Sequence, residues 1–148
     1  MPDLPERVAR LIRDVPDFPA PGILFRDIAP LLRHPETFAA VVDWGADRAR
    51  TLGAGVVVGI ESRGFTRGSP VALRAGVPFV PVRKAGKLPG PVHGEPCTLE
   101  YGEAELQVQV GALHAGDRAF VVDDVLATGG TAAAAAALVR ADGAEPVE

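Results

Sequence analysis

The stretch Phe120-Val121-Val122-Asp123-Asp124-Val125-Leu126-Ala127-Thr128-Gly129-Gly130-Thr131 decides how the rest of the chain is read. Its apolar lead is continuous rather than alternating, the pattern of a parallel strand covered on both faces. Asp123-Asp124 then fall at the C-terminal end of that strand, where open α/β sheets bind ligands. The small-residue turn after them exposes backbone N–H groups at the start of a helix, a site suited to anions. Acids able to hold sugar hydroxyls or a metal thus adjoin a cradle for phosphate, and the combination predicts a sugar-phosphate ligand. A plainer reading exists for each half: Gly-Gly is common loop chemistry, and an Asp at a strand end often only caps a helix. The hydroxyls of Thr128 and Thr131, able to donate to phosphate oxygens, favour the functional one.

Working outward, Gly55 to Ile60 forms a compact apolar run that reads as a central strand, followed by a helix from Phe65 to Ala75 and a strand from Val77 to Val82. This β-α-β rhythm predicts an α/β domain with a mainly parallel sheet. Glu61-Ser62-Arg63-Gly64 follows the first of these strands as the acid pair follows its own. An arginine there can grip a phosphate with two parallel hydrogen bonds, although a solvated arginine beside a serine cap reads just as simply. Arg83, Lys84 and Lys87 sit at the next strand end and in a Gly- and Pro-rich stretch from Arg83 to Pro96, long enough to be functional if it is a loop. Lone loop cations are usually solvated. Their position at a third strand end points them to the same crevice.

Towards the N-terminus, Leu4, Val8, Leu11, Ile12 and Val15 are spaced for one face of a short helix. Pro16, Pro19 and Pro21 end it and force an extended segment through Phe25. Pro35-Glu36 opens a second helix, with Phe38, Val41, Val42 and Trp44 facing inward. Thr98 to Tyr101 and Glu105 to Val110 read as a hairpin about Gly102. An alanine-rich helix runs from about Thr131 to Ala141, Gly143 ends it, and Ala144 to Glu148 begins another strand.

With 148 residues, 23% charged and 47% hydrophobic, the chain has the composition of one globular domain. A net charge of -4 with no basic stripe argues against nucleic acid. No apolar run is long enough to span a membrane, and no signal peptide is evident. One cysteine, Cys97, fits a reducing cytoplasm. His34, His93 and His114 lack metal-ligand spacing and are read as non-catalytic.

Several segments together resemble the type I phosphoribosyltransferases, and within them the branch that works on adenine. They are Asp17-Phe18-Pro19-Ala20-Pro21-Gly22-Ile23-Leu24-Phe25-Arg26-Asp27, Gly59 to Phe65, Val82-Arg83-Lys84-Ala85-Gly86-Lys87-Leu88-Pro89-Gly90, Leu99-Glu100-Tyr101-Gly102, and the acid-pair stretch. The acid pair marks the superfamily; the Phe-Pro-x-Pro-Gly and Arg-Lys-x-Gly-Lys-Leu-Pro-Gly segments narrow it.

The resemblance implies transfer of ribose 5-phosphate from phosphoribosyl pyrophosphate to adenine, with Mg²⁺ carried mainly by the pyrophosphate and ribose hydroxyls near Asp123 and Asp124. It assigns Asp123 and Asp124 to the ribose, Ala127, Thr128, Gly129, Gly130 and Thr131 to the 5-phosphate, and Ser62, Arg63, Arg83 and Lys87 to the pyrophosphate. Leu24, Phe25 and Arg26 fall in the base pocket, Phe25 stacking on the purine. Glu100, with Arg63 and Lys87, carries catalysis, Glu100 exchanging a proton with the base. A non-proline cis peptide is expected at Ser62-Arg63.

The family's fold is a central sheet flanked by helices, with a small hood over about residues 1–34 and a flexible catalytic loop and hairpin over about 83–110. Its members are usually homodimers. The sequence ends as its last strand begins, so that strand is expected to be short or missing and the base pocket half open. The alternatives are a phosphoribosyltransferase for another purine such as hypoxanthine, or a non-catalytic module that binds phosphoribosyl pyrophosphate.

Overall fold

The computed structural model describes residues 2–99, 102–124 and 129–148. Its chain forms two compact units, residues 1–45 and 46–148. In the first, Asp3 caps helix α1 (Leu4–Ala9) by accepting a hydrogen bond from the Glu6 N–H at 2.9 Å. The helix then stops. Residues 13–15, expected to continue it, instead form strand β1 (Arg13–Val15), antiparallel to β2 (Phe25–Asp27). Cross-strand ion pairs Arg13–Asp27 and Arg26–Asp14 hold this ribbon, a pairing that the apolar spacing of residues 4–15 does not reveal. Helix α2 (Ala29–Leu32) follows, and the unit ends within α3 (Pro35–Thr51), on which Val41 and Val42 are buried. Trp44, expected to face inward, is 57% exposed.

The larger unit is built on β3 (Val56–Ile60), whose five residues are all buried. Such a run has no solvent face, and it is flanked on both sides in the sheet. Helix α4 (Arg63–Ala75) leads to β4 (Phe79–Lys84), parallel to β3. Strands β5 (Val92–Leu99) and β6 (Gly102–Gln109) form an antiparallel hairpin joined to β4 through β6. Half of the stretch expected as loop is therefore strand, and the turn between β4 and β5 spans 85–91. Next come β7 (Arg118–Val122), parallel to β3, helix α5 (Gly130–Ala141) and β8 (Glu145–Pro146), parallel to β7. The pairing beside β7 runs on to the last residue, since the Val121 N–H donates to the Glu148 carbonyl at 2.8 Å. The strand order is β5-β6-β4-β3-β7-β8, a mixed sheet with a parallel centre.

Val58, Ile60, Val82, Leu106, Val108 and Ala119 on the sheet close one apolar core with Ala134, Ala135, Leu138 and Val139 of α5. The alanines leave α5 a thin face, which brings its backbone close to the strands.

The chain leaves β3 towards β4 on one side and returns to β7 on the other. The ends of β3 and β7 therefore flank a topological switch point, the place where doubly wound sheets open a crevice. Helix α4 reaches this point because Gly64 has no side chain: a Cβ there would lie 2.7 Å from the Val122 carbonyl oxygen and 3.4 Å from Asp123 Cα. Both contacts are to backbone, which cannot swing aside. Gly64→Ala is therefore expected to lower stability by about 1–3 kcal/mol in urea unfolding. An unchanged midpoint and slope would show that α4 can move off β7.

Candidate active site

The crevice is assembled from the ends of β3, β4 and β7. Glu61 follows β3 through a chain that turns sharply: the Glu61–Ser62 peptide is cis. The cis bond was expected one residue later, at Ser62–Arg63. There the peptide already begins α4, with Ser62 as its N-cap in the right-handed helical region, so it has helical trans geometry. Phe18–Pro19 is also cis.

Glu61 itself is the centre of a cation cluster. Its carboxylate is 6% exposed, and Oε1 accepts from Arg83 Nε at 2.8 Å while Oε2 accepts from Lys87 Nζ. The Lys84 N–H adds a longer contact to Oε1 at 3.4 Å. Burial pushes this carboxyl up, but the hydrogen bonds from Lys87 and Arg83 outweigh it and leave the pKa below the usual glutamate value. The Arg83 guanidinium also lies 5.9 Å from the centre of the Phe65 ring, which packs edge-on to Phe79. Two of the cations that the resemblance assigns to pyrophosphate are thus drawn together by Glu61, a carboxylate to which the sequence alone gives no separate role. Its signal was positional: an acid at a strand end, immediately before Ser62-Arg63.

Across the switch point, Arg63 Nε lies 2.9 Å from Asp124 Oδ2. This contact has charge but not hydrogen-bond geometry, so the buried Oδ2 has no hydrogen-bond donor among the described residues. A buried carboxylate oxygen in that state is suited to a donor from outside the protein, such as a sugar hydroxyl or a water on a metal. Asp123 Oδ1 accepts from the Asp124 N–H at 2.9 Å, and its main-chain carbonyl accepts from Arg67 Nη2 at 2.5 Å. Burial raises the Asp123 carboxyl to about 7; the hydrogen bond from the Asp124 N–H opposes this, the Asp124 carboxyl adds to it, and the Arg63 charge opposes it.

Beyond the acids, Gly129 stands at φ 82° as the N-cap of α5, a left-handed conformation that favours glycine. It has no side chain to offer the first turn, and the leading N–H groups of that turn, those of Gly130 and Thr131, lie where the sequence predicts a phosphate cradle. Ala127, Thr128 and Glu100 lie outside the described residues. In the N-terminal unit, Phe25 meets Phe18 edge-on at 5.1 Å, Leu24 is 42% exposed, and Arg26 is paired with Asp14. Phe18 is an aromatic neighbour of Phe25 that the sequence reading did not single out.

His93 and His34 are occupied elsewhere, His93 with Asp142 at 2.8 Å and His34 as acceptor for the Thr37 N–H. A cavity of about 420 Å³ lined by Pro96, Cys97, Thr98, Glu103 and Ala104 lies along the hairpin and includes none of these acids or cations. Among the described residues no three His, Cys, Asp or Glu side chains group closely enough to hold a metal. No helix in them is long and apolar enough to cross a membrane.

Residues 28–148 match the phosphoribosyl transferase domain family. The adenine phosphoribosyltransferase of Streptomyces coelicolor is 59% identical over 134 residues, 90% of this chain and 74% of that protein. The chain belongs to the adenine phosphoribosyltransferase family. Solved structures agree. The adenine phosphoribosyltransferase of Thermoanaerobacter pseudethanolicus superposes with a TM-score of 0.91 at 41% identity, over 97% of this chain and 83% of that one. The Saccharomyces cerevisiae enzyme, solved with an imino-altritol bisphosphate and adenine, gives 0.88 at 39% identity over 97% and 84%.

For a member of this family the acid pair has a measurable signature. Asp123 binds its proton more tightly in the folded chain than at the ordinary value of 3.8, so the folded form holds the extra proton between about pH 4 and 7. Stability is then expected to fall as pH rises through that window and to level off above it. Asp123→Asn should remove the decline, measured by urea unfolding at pH 5 and pH 8 with a chelator present. Parallel pH profiles for the two proteins would contradict a raised Asp123.

Proposed function

We propose that the chain transfers the ribose 5-phosphate of phosphoribosyl pyrophosphate to N9 of adenine. The bond from ribose C1 to the pyrophosphate oxygen breaks, the bond from C1 to N9 forms, and adenine gives up one proton. The products are AMP and pyrophosphate. The observation that carries this reading is the convergence at one switch point of an acid pair, one of whose buried oxygens has no hydrogen-bond donor among the described residues, a helix N-terminus behind Gly129, and cations held at the ends of β3 and β4.

In this reading the hydroxyls of the ribose donate to Asp123 and Asp124, supplying the hydrogen bond that Asp124 Oδ2 does not receive from the described residues. The 5-phosphate takes the N–H groups of residues 127–131 and the hydroxyls of Thr128 and Thr131. Ser62, Arg63, Arg83 and Lys87 meet the pyrophosphate and stabilise the charge it gains as it leaves. Phe25 stacks on the purine, with Leu24 and Arg26 beside it, and Glu100 takes the base's proton. The residues present suit Mg²⁺ carried by the substrate: Asp123 and Asp124 would hold it through its water shell or the ribose hydroxyls. When bound it neutralises pyrophosphate charge. The hairpin and the turn over 85–91 would exclude water from an oxocarbenium-like centre. The single cysteine, Cys97, is buried and suits a reducing cytoplasm, and family practice suggests a homodimer.

Pyrophosphate release decides between the readings. Release with adenine but not with hypoxanthine is expected. Release with hypoxanthine alone would favour another purine as acceptor, and binding of phosphoribosyl pyrophosphate without release would favour a non-catalytic module. Glu100→Gln should lower turnover by about 10²–10⁴-fold while leaving phosphoribosyl pyrophosphate binding near the wild-type value. Turnover equal to wild type would remove Glu100 from proton transfer.

A further inference from the structure

Arg67 is a charged side chain at the crevice to which the proposed reaction assigns no part. It follows Arg63 by one helical turn on α4, so the two guanidinium groups project from the same face of the helix. Arg63 reaches the Asp124 carboxylate, and Arg67 Nη2 donates to the main-chain carbonyl of Asp123 at 2.5 Å. That carbonyl lies just past the end of β7, where the register with β3 ends at Gly59 opposite Val122 among the described residues. The side chain therefore satisfies a main-chain acceptor at the point where the sheet no longer can.

Arg67 is part-buried, and burial lowers its pKa, opposed by the charges of Asp124 and then Asp123. Both carboxylates are thus within electrostatic reach of it. An arginine is favoured in such a place over a lysine, because its fork keeps donors in fixed directions and its charge is more weakly hydrated. Gly64 and Gly68, on either side of it, bring α4 against the strands: a Cβ on Gly68 would stand 3.0 Å from the Phe79 ring. The helix face that carries Arg67 therefore has little room to shift.

We infer that Arg67 is a positioning residue for the sugar-phosphate donor. It fixes the main chain of Asp123 through the carbonyl and supplies a second positive charge, beside that of Arg63, that keeps the acid pair ready for the ribose hydroxyls. The inference rests on the assignment of Asp123 and Asp124 to the ribose. It adds that the arrangement of the acids depends on a side chain 56 residues away in sequence.

Three substitutions in the full chain test it. Arg67→Gln keeps a donor for the carbonyl and loses the charge, Arg67→Lys keeps the charge, and Arg67→Met loses both. The readouts are KM for each substrate, kcat, calorimetric affinity for phosphoribosyl pyrophosphate with Mg²⁺, and thermal unfolding. Arg67→Gln is expected to raise KM and the dissociation constant for phosphoribosyl pyrophosphate about tenfold, equivalent to 1.4 kcal/mol. KM for adenine should stay within about twofold, and Arg67→Lys should recover most of the donor affinity. Arg67→Met should be the weakest binder; if it does not fold, the Gln and Lys proteins decide the question. Wild-type donor affinity in folded Arg67→Gln, or equal losses for both substrates, would overturn the inference. A wild-type chain that does not bind phosphoribosyl pyrophosphate would overturn the functional reading itself.

Discussion

The site depends on how closely α4 can approach the end of β7. A side chain at residue 64 would collide with main-chain atoms of Val122 and Asp123, so glycine is required where the helix begins. With that approach allowed, two loops from strands far apart in sequence become neighbours across the switch point. Arg63 can then meet Asp124, Arg67 can reach the Asp123 carbonyl, and Glu61 stands at the adjacent strand end. The buried run of β3 and its parallel partners supply the rigid base on which this contact is made.

Charge at the site is partly compensated within the protein itself. Glu61 holds Arg83 and Lys87, and Asp124 faces Arg63. Cations left alone in such a crevice would repel one another, and a buried carboxylate without a partner would take up a proton. Pairing with Lys87 and Arg83 favours the charged form of Glu61 and holds both cations near the places where a ligand would need them. In the proposed reaction a pyrophosphate group would compete with Glu61 for its two cations, so donor affinity is moderated and release of the leaving group assisted. Asp124 Oδ2 is the complementary case: it faces the Arg63 charge but has no hydrogen-bond donor among the described residues, and a sugar hydroxyl can supply one.

Much of this was legible in the sequence because it is local. The continuous apolar run before Ile60, the acids after Val122 and the glycines before α5 each occupy one strand-turn-helix junction, and all three lie where their spacing places them. Features made by distant pairing were not. Residues 13–15 have a helical apolar pattern, yet their cross-strand bonds to 25–27 override it. The hairpin strands are longer than their turn signals suggest, because Gly94 and Pro96 still pair with Gln107 and Glu105 on β6. Glu61 and Arg67 each carry an ordinary surface residue type, and their roles come from partners 22 to 56 residues away. Trp44 is the opposite case: an aromatic residue in a helical pattern predicts core, yet it is exposed.

The central claim is that the crevice between the ends of β3 and β7 binds the sugar phosphate. A crystal structure of the full chain soaked with ribose 5-phosphate tests it most directly. Density is expected with the ribose hydroxyl oxygens within hydrogen-bond distance of Asp123 and Asp124, Oδ2 of Asp124 among the acceptors, and the phosphate at the N-terminus of α5 beside Gly129 and Thr131. Ordered sugar phosphate elsewhere, for instance along the hairpin cavity at Cys97 and Glu103, with this crevice empty, would contradict it.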